Sequence, residues 1–481
     1  MEVFSINSSL KNGFFYTAIG KFSLVFTNLL VNAILSRILT PSEYGVVAIV
    51  QVFILFFQIL VEAGIGPAII QNKNLNNKEI SILFNYSIIF AFILSMFFGF
   101  FGIVLAKIYQ NNIYLNLSWV QSIAIFFNGL NVVPSAILNK NKQFKTINFN
   151  QILSSFFSGL IGIFFAIKGY GVYSLVFSAI GLSFLFFILN FIRASIVLTK
   201  KLDTIVMRKI LGFSIYQFSF NFINYFSRNS DNILIGKFLG PIDLGNYSKA
   251  YQLLMMPNSV LLGIINPVLQ PVLSDYQDDV ETIKKTYLKI VRFLALIGIS
   301  LSVFLSLFSK SIIYFIFGKQ WGLAVFPFQI LATTVWIQMT LSSTGAIFQS
   351  RNKTKDLFLT GLLSAIILVG SISIGILTND LNKLSIILTV GFYINYFVNF
   401  SLVMKLALDD NLFTLLKELR IPILIGFIEF LVLYVTKFIL PSSLNVFIDL
   451  LISGVIFVII FAILLFVTGE YKKILLLLSK E

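Results

Sequence analysis

The sequence predicts an all-α polytopic membrane protein of about fourteen transmembrane helices. These form two parallel six-helix repeats followed by two further helices. Three observations predict it. Of 481 residues, 58% are hydrophobic and only 11% charged, with a mean hydropathy of +0.93; a soluble domain carries about 25% charged residues. The apolar residues come in continuous runs near the ~20 residues that cross ~30 Å of hydrocarbon as a helix, without the period-2 alternation of a barrel strand. A stretch near residue 40 also recurs near residue 240.

In chain order the apolar runs cover 14–37, 45–70, 80–107, 116–138, 146–167, 171–193, 209–238, 244–272, 289–309, 323–348, 356–378, 383–405, 421–440 and 445–468. The 54 Phe residues suit lipid-facing surface and tight packing. Gly, Ser and Ala inside the runs let helices approach closely. The first run is too long for a leader's apolar core and lacks a small-residue cleavage site, so it is expected to stay as an anchor. The gaps are short. The longest, about 274–288, carries Asp275, Asp278, Asp279, Glu281, Lys284 and Lys285 and is expected to form a short solvated amphipathic helix. No gap is long enough for an ATPase or glycosyltransferase domain. Gly236-Lys237 and Gly318-Lys319 lack the G-x-x-x-x-G-K-[ST] pattern of a phosphate-binding loop.

Basic residues follow the alternation of the runs. With the N-terminus inside, eight of the 35 Lys and Arg fall on the outer side: Arg37, Lys107, Lys168, Lys237, Lys310, Lys319, Lys383 and Lys437. Three, Lys21, Arg228 and Lys249, fall within spans, and the remaining 24 lie on the inner side. Cytoplasmic loops carry the excess of Lys and Arg, so both termini are expected to be cytoplasmic. The formal net charge of +15 is therefore mostly a record of topology.

The repeat has an offset of 200. Asn32-Ala-Ile-Leu-Ser-Arg37-Ile-Leu39-Thr-Pro41-Ser-Glu43-Tyr-Gly45 aligns without a gap on Asn232-Ile-Leu-Ile-Gly-Lys237-Phe-Leu239-Gly-Pro241-Ile-Asp243-Leu-Gly245. Asn, Leu, Pro and Gly are identical, and two charges are conserved in sign. Tyr16, Phe22 and Pro67 pair with Tyr216, Phe222 and Pro267 at the same offset. A unit of six helices keeps both copies in one orientation, a plan used by transporters. The Pro and Gly matches have a plainer reading too, as marks of the same short turn between two helices. The expected division is residues 1–200, residues 201–410, and an appended pair of helices in 411–481.

These stretches resemble the bacterial polysaccharide exporters of the multidrug/oligosaccharidyl-lipid/polysaccharide superfamily. The likeness is carried by Leu35-Ser-Arg-Ile-Leu-Thr-Pro-Ser-Glu-Tyr-Gly45 and by Arg228-Asn-Ser-Asp231-Asn232-Ile-Leu-Ile-Gly236-Lys237-Phe-Leu-Gly240 with Leu244-Gly245-Asn-Tyr247. It covers roughly the first 360 residues, and the last spans match only as apolar helices. The resemblance implies a flippase for undecaprenyl-pyrophosphate-linked oligosaccharide units of the O-antigen, capsule or teichuronic type, working by alternating access in the cytoplasmic membrane. It implies no catalytic residue, no cofactor and no nucleic acid. Membrane lipids, a polysaccharide polymerase and a chain-length regulator are the expected partners. The last two helices are implied to hold the polyprenyl tail.

Ionisable residues inside a membrane span are costly and are functional candidates by default. Seven lie well inside the runs: Lys21, Glu62, Arg228, Asp231, Lys249, Glu429 and Asp449. Arg228 and Asp231 are three apart and share a helix face. They either pair with each other, or Arg228 offers its fork of donors to a pyrophosphate while Asp231 orients it or responds to an ion. Asn221, Asn224 and Asn232 make that span unusually polar, as Asn28 and Asn32 do for its repeat mate. Lys21 and Lys249 either snorkel to an interface or extend a cationic cavity. Glu62 precedes Gly64-x-Gly66-Pro67 and is either a coupling carboxylate or a structural partner. The expected substrate site is thus Arg228, Lys21, Lys249, Asn32, Asn232 and Asn224, with Asp231 and Glu62 for coupling.

The absence of Cys and His excludes thiol chemistry, a His general base and zinc sites built on them. Two alternatives stand beside the flippase. A small-molecule antiporter shares the six-plus-six plan, but Gln71–Lys78 lacks the Gly- and Arg-rich signature of the major-facilitator class. A membrane polymerase or ligase needs a large charged outer loop, and the outer gaps here are short.

Overall fold

A computed structural model describes residues 2–62, 65–72, 75–199, 201–204, 225, 229–441 and 444–473. It is helical throughout those residues. The chain forms two compact units, Met1–Gly245 and Asn246–Glu481. This division rests on packing and is distinct from the repeat-based one at 200 and 410.

The first unit holds α1 (Glu2–Ile38), α2 (Pro41–Glu62), α3 (Ile65–Gln71), α4 (Asn77–Tyr109), α5 (Ile113–Lys140), α6 (Phe144–Ile167), α7 (Val172–Ala194) and α8 (229–238). It also holds the opening turn of α9 (Pro241–Ser274). Helix α5 is its centre and packs against α2, α3, α4, α6 and α7. Helix starts follow local chemistry. At α2 the Thr40 amide and hydroxyl both donate to Glu43 Oε2, at 2.7 and 2.9 Å, and Pro41 takes the first helical position, where its missing N–H costs nothing. At α4 the Asn76 side chain and Glu79 cap each other's backbone. Small residues set the helix spacing. A Cβ on Gly102 would stand 2.6 Å from Ser118 Cβ, so α4 and α5 touch nearly backbone to side-chain root.

The second unit continues α9 and adds α10 (Val280–Leu307), α11 (Ser309–Ile316), a 3₁₀ turn (Lys319–Ala324), α12 (Val325–Ala332), α13 (Val335–Leu341), α14 (Thr344–Ser350), α15 (Thr354–Ile376), α16 (Leu381–Leu402), α17 (Leu412–Ile439) and α18 (Val446–Val467). Its core gathers Tyr287, Val291, Phe348, Tyr396, Phe400 and Met404, all fully buried. Helix α10 carries α17 on one side and α12–α13 on the other.

Eleven helices among the described residues are long and apolar enough to cross a membrane, or twelve if one bent pair is a single span. The protein is a multi-pass membrane protein. Of the fourteen expected runs, most of the seventh lies outside the described residues. The eighth is the long helix α9. The tenth, 323–348, is not one straight helix. It bends by 53° between Lys319–Ala332 and Val335–Ser350. At the break Thr333 and Thr334 donate to the carbonyls three residues back, at 2.6 and 2.7 Å, so their hydroxyls are met within the chain.

The expected separate amphipathic helix at 274–288 is also corrected. Residues 275–278 are a turn, Asp279 caps α10 by accepting from Thr282 N at 3.0 Å, and the charged segment is the first two turns of that helix. Lys284 bridges to Glu281 at 2.8 Å and to Asp410 at 3.1 Å, so the charges are met without a break.

Candidate functional site

The first unit holds a half-open cavity of about 620 Å³. Its walls come from the second half of α2, from α3, from α5, from Gln151 on α6, and from two turns of α7 between Ala179 and Phe186. Glu62 is the last described residue of α2, and Pro67 lies in the first turn of the short helix α3. Glu62 lines the cavity, is exposed, and is the only lining carboxylate among the described residues.

The rest of the polar lining is mostly amide. Gln51 and Gln58 stand seven residues apart on α2, Gln121 and Asn128 seven apart on α5, and Gln151 on α6. Seven residues are two helical turns, so each pair shares a face. Among the described residues these five side chains make no hydrogen bond. Gln121 is 2% exposed, and its carbonyl oxygen is buried without a partner. Among the described residues no Lys or Arg lines the cavity.

Two further lining residues, Asn131 and Ser135, are tied to Asn190. Asn190, fully buried on α7, donates to Asn131 Oδ1 at 2.9 Å and to Ser135 Oγ at 3.1 Å, and accepts from Asn150 Nδ2 at 2.9 Å. Three helices are thereby pinned by one side chain. Buried polar groups are normally paired, so the contrast between these bonded amides and the five open ones marks the cavity as a place where something else supplies the hydrogen bonds.

The residues singled out in the sequence are dispersed. Lys21 is exposed on α1 and does not line the cavity. Asn32 is half-buried and donates to Asn28 O at 2.9 Å, while Asn28 accepts from Ser155 at 2.7 Å. Asp231 is 5% exposed and accepts from the backbone and side-chain nitrogens of Asn232 at 2.8 and 3.3 Å. Arg228 and Asn224 lie outside the described residues. Lys249, in the second unit, is fully buried with its ammonium 4.7 Å from the Phe317 ring centre and 5.4 Å from that of Trp321. Stacking on aromatic faces stabilises a desolvated cation. Asp449 accepts from Ser311 at 2.5 Å, in the first turn of α18.

The five free amides are the residues that the sequence reading missed. Their signal was present as Gln and Asn at seven-residue spacing inside otherwise apolar spans 2 and 4, with Gln151 in span 5. It was overlooked because the amides chosen, Asn32, Asn224 and Asn232, were those of the repeat-related spans 1 and 7. Among the described residues no cluster of three His, Cys, Asp or Glu could hold a metal ion.

Comparisons with known proteins agree on one class. A family model described as "Polysaccharide biosynthesis protein" matches residues 34–326. The teichuronic acid biosynthesis protein TuaB of Bacillus subtilis is 23% identical over 448 residues, 89% of each chain. Among solved structures, the lipid II flippase MurJ in an inward closed conformation superposes with a TM-score of 0.74, at 14% identity, over 95% of this chain and 99% of its own. An inward-facing multidrug resistance transporter of the MATE family, in the multidrug/oligosaccharidyl-lipid/polysaccharide superfamily, superposes with a TM-score of 0.61, at 14% identity, over 81% of this chain and 97% of its own. The all-α polytopic membrane fold expected from the sequence is therefore the observed one, with eleven or twelve membrane-length helices among the described residues. With more than half of its length matched by that model, the chain belongs to the family of polysaccharide biosynthesis proteins.

Proposed function

We propose that this protein is a flippase that moves undecaprenyl-pyrophosphate-linked oligosaccharide units across the cytoplasmic membrane by alternating access, for cell-surface polysaccharide synthesis. The observation that carries the reading is a large cavity with unpaired amides inside a bundle of membrane-length helices, in a chain of the polysaccharide biosynthesis family. A sugar head is too polar to cross hydrocarbon unaided, and a polar cavity removes that barrier. The names of the relatives support the reading: one serves teichuronic acid biosynthesis, and the fold is shared with a lipid II flippase.

The protein is a transporter and not an enzyme in this reading, with both termini cytoplasmic. Residues 1–200 and 201–410 are its two six-helix lobes, and 411–481 is the appended pair. Arg228, Lys21 and Lys249 supply positive charge for the pyrophosphate, and Asn32, Asn224 and Asn232 supply hydrogen bonds. Asp231 and Glu62 are the candidates for ion coupling. A polymerase and a chain-length regulator act on the exported unit.

Deletion of the gene is expected to make cells accumulate lipid-linked repeat units on the inner leaflet. Units that reach the outer leaflet but remain unpolymerised would overturn the reading and indicate a polymerase. Arg228→Ala is expected to abolish export while the protein still inserts, and full export by that variant would remove Arg228 from the site.

A further inference from the structure

We infer that Glu429 is a proton-binding site that fastens α17, and with it α18, to the second unit: the helix seats on α10 while the carboxyl holds its proton and loses that seat when the proton leaves. The inference goes beyond the flippase reading and does not depend on what the protein transports.

The docking surface of α17 is a single stripe. Its buried residues, from Leu415 through Leu419, Pro422, Gly426 and Glu429 to Leu433, stand three or four apart, as one helical face requires. The stripe lies close on α10: a Cβ on Gly426 would stand 2.3 Å from Ile299 Cγ2. Glu429 is its one ionisable member. It is fully buried, and neither carboxyl oxygen has a hydrogen-bond partner among the described residues. It stands ten residues from the end of the helix, about 15 Å at 1.5 Å per residue, so its short side chain cannot reach an interface. Helix α18 in turn packs on α17 and α11, and Ser453 is its one buried residue. What holds α17 therefore holds the pair.

Among the described residues no positive charge stands where it could offset a carboxylate. The elements packed against α17 are α10, α18 and the turn Val403–Ala407. On α10 the ionisable side chains are Glu281, Lys284, Lys285, Tyr287, Lys289 and Arg292, all in its first four turns, and none follows as far as Leu307. Lys284 is already bridged to Glu281 and Asp410, and Arg292 to Glu418 and Glu470. On α18 there is Asp449, in the first turn, which accepts from Ser311. In the turn there is Lys405, which is exposed. On α17 itself Lys417, Glu418 and Arg420 lie toward one end, exposed Tyr434 and Lys437 toward the other, and Lys437 donates to Leu307 O at 2.7 Å. What faces Glu429 is the Ser300 hydroxyl of α10, also buried without a hydrogen-bond partner. A hydroxyl brings no positive charge. A buried charge without a counter-charge is neutralised or expelled, so the seated helix requires the neutral carboxyl, and loss of the proton sets a buried carboxylate against the packing of one stripe.

The chain contains no Cys, so a single introduced Cys reports whether the stripe is covered. Leu433→Cys, on the buried stripe, and Leu431→Cys, on the exposed side of α17, would each be made with Glu429 and with Glu429→Gln. The purified proteins in lipid nanodiscs would be labelled with a membrane-permeant maleimide from neutral to alkaline pH. The ratio of rates between the two backgrounds at each pH cancels the reagent's own pH dependence. For Leu433→Cys the ratio, Glu429 over Glu429→Gln, is expected to rise several-fold toward alkaline pH, and for Leu431→Cys to stay constant. Leu419→Cys reads the same stripe should Leu433→Cys fail to accumulate. Infrared spectra are expected to show a protonated-carboxyl stretch at neutral pH that Glu429→Gln lacks and that alkaline titration removes. Absence of that difference at neutral pH means an ionised carboxyl and would overturn the inference. Equal labelling of the stripe in both backgrounds at every pH would overturn it as well, because the proton would then fasten nothing.

Discussion

Gly45 and Pro241 meet at a distance that leaves no room for a side chain. A Cβ on Gly45 would lie 2.6 Å from the carbonyl carbon of Pro241 and closer still to its oxygen. The relation is reciprocal: a Cβ on Gly245 would lie 2.9 Å from the carbonyl carbon of Pro41. The four residues are the Pro and Gly of the two repeats, and all lie in the first unit. The shared turn is therefore more than a helix start. Each copy's Gly receives the other copy's Pro carbonyl.

Gly45→Ala and Gly245→Ala are each expected to lower the yield of monodisperse protein and its unfolding temperature. Overpacking typically costs about 1–3 kcal/mol, and a backbone carbonyl yields less than a side chain. Gly454→Ala, at a site with no atom near the added carbon, is the control and should behave as wild type. Fluorescence-detected size exclusion after a heating series measures all three.

Asn190 is expected to be the most sensitive polar residue of the first unit. Asn190→Leu strands Asn131, Asn150 and Ser135, which lose hydrogen bonds of 2.9 to 3.1 Å. Each buried group left unmet costs about 1–3 kcal/mol. The variant should unfold well below wild type, while Gln58→Leu on the cavity wall, whose side chain has no bond to lose among the described residues, should not.

Glu470, just beyond α18, is buried and bonded to Arg292 at 2.5 and 3.0 Å and to Lys473 at 3.0 Å. Burial alone would raise its carboxyl, but the bonds from Arg292 and Lys473 outweigh that and hold it below the ordinary carboxylate value. A carboxyl lowered on folding adds stability above its unfolded pKa of about 4.3, and that stability is lost as pH falls through the lower folded value. Wild type should therefore lose unfolding temperature below about pH 4 more steeply than Glu470→Gln. Equal slopes in detergent from neutral to acid pH would refute it.

Glu429 lies fully buried on α17, and neither carboxyl oxygen has a hydrogen-bond partner among the described residues. An isolated charge there costs several kcal/mol. Glu429→Gln keeps the shape and cannot carry a charge, so it is expected to be at least as stable as wild type. Glu429→Lys should fail to accumulate. Thermal unfolding and expression level separate the two.

Much of this was legible without coordinates. Apolar run length placed the membrane helices, because backbone groups in hydrocarbon must bond within their own helix. The offset of 200 exposed the turn at Pro41 and Pro241. The break at Thr333–Thr334 was not legible, since the run around it is as apolar as a straight span. The two charges at Lys249 and Asp231 were visible, but not that one lies under Phe317 and Trp321 and the other against Asn232.

The sequence by itself determined the class of protein, the membrane helices and the duplicated turn, because hydropathy and local capping act over a few residues at a time. Only the tertiary structure decided which polar residues are partnered. Gln121 and Asn190 are both buried amides in apolar helices, yet one has an oxygen with no partner in a cavity and the other ties three helices together. That difference depends on what distant helices bring to each side chain, and a hydrogen bond is decided within a fraction of an ångström.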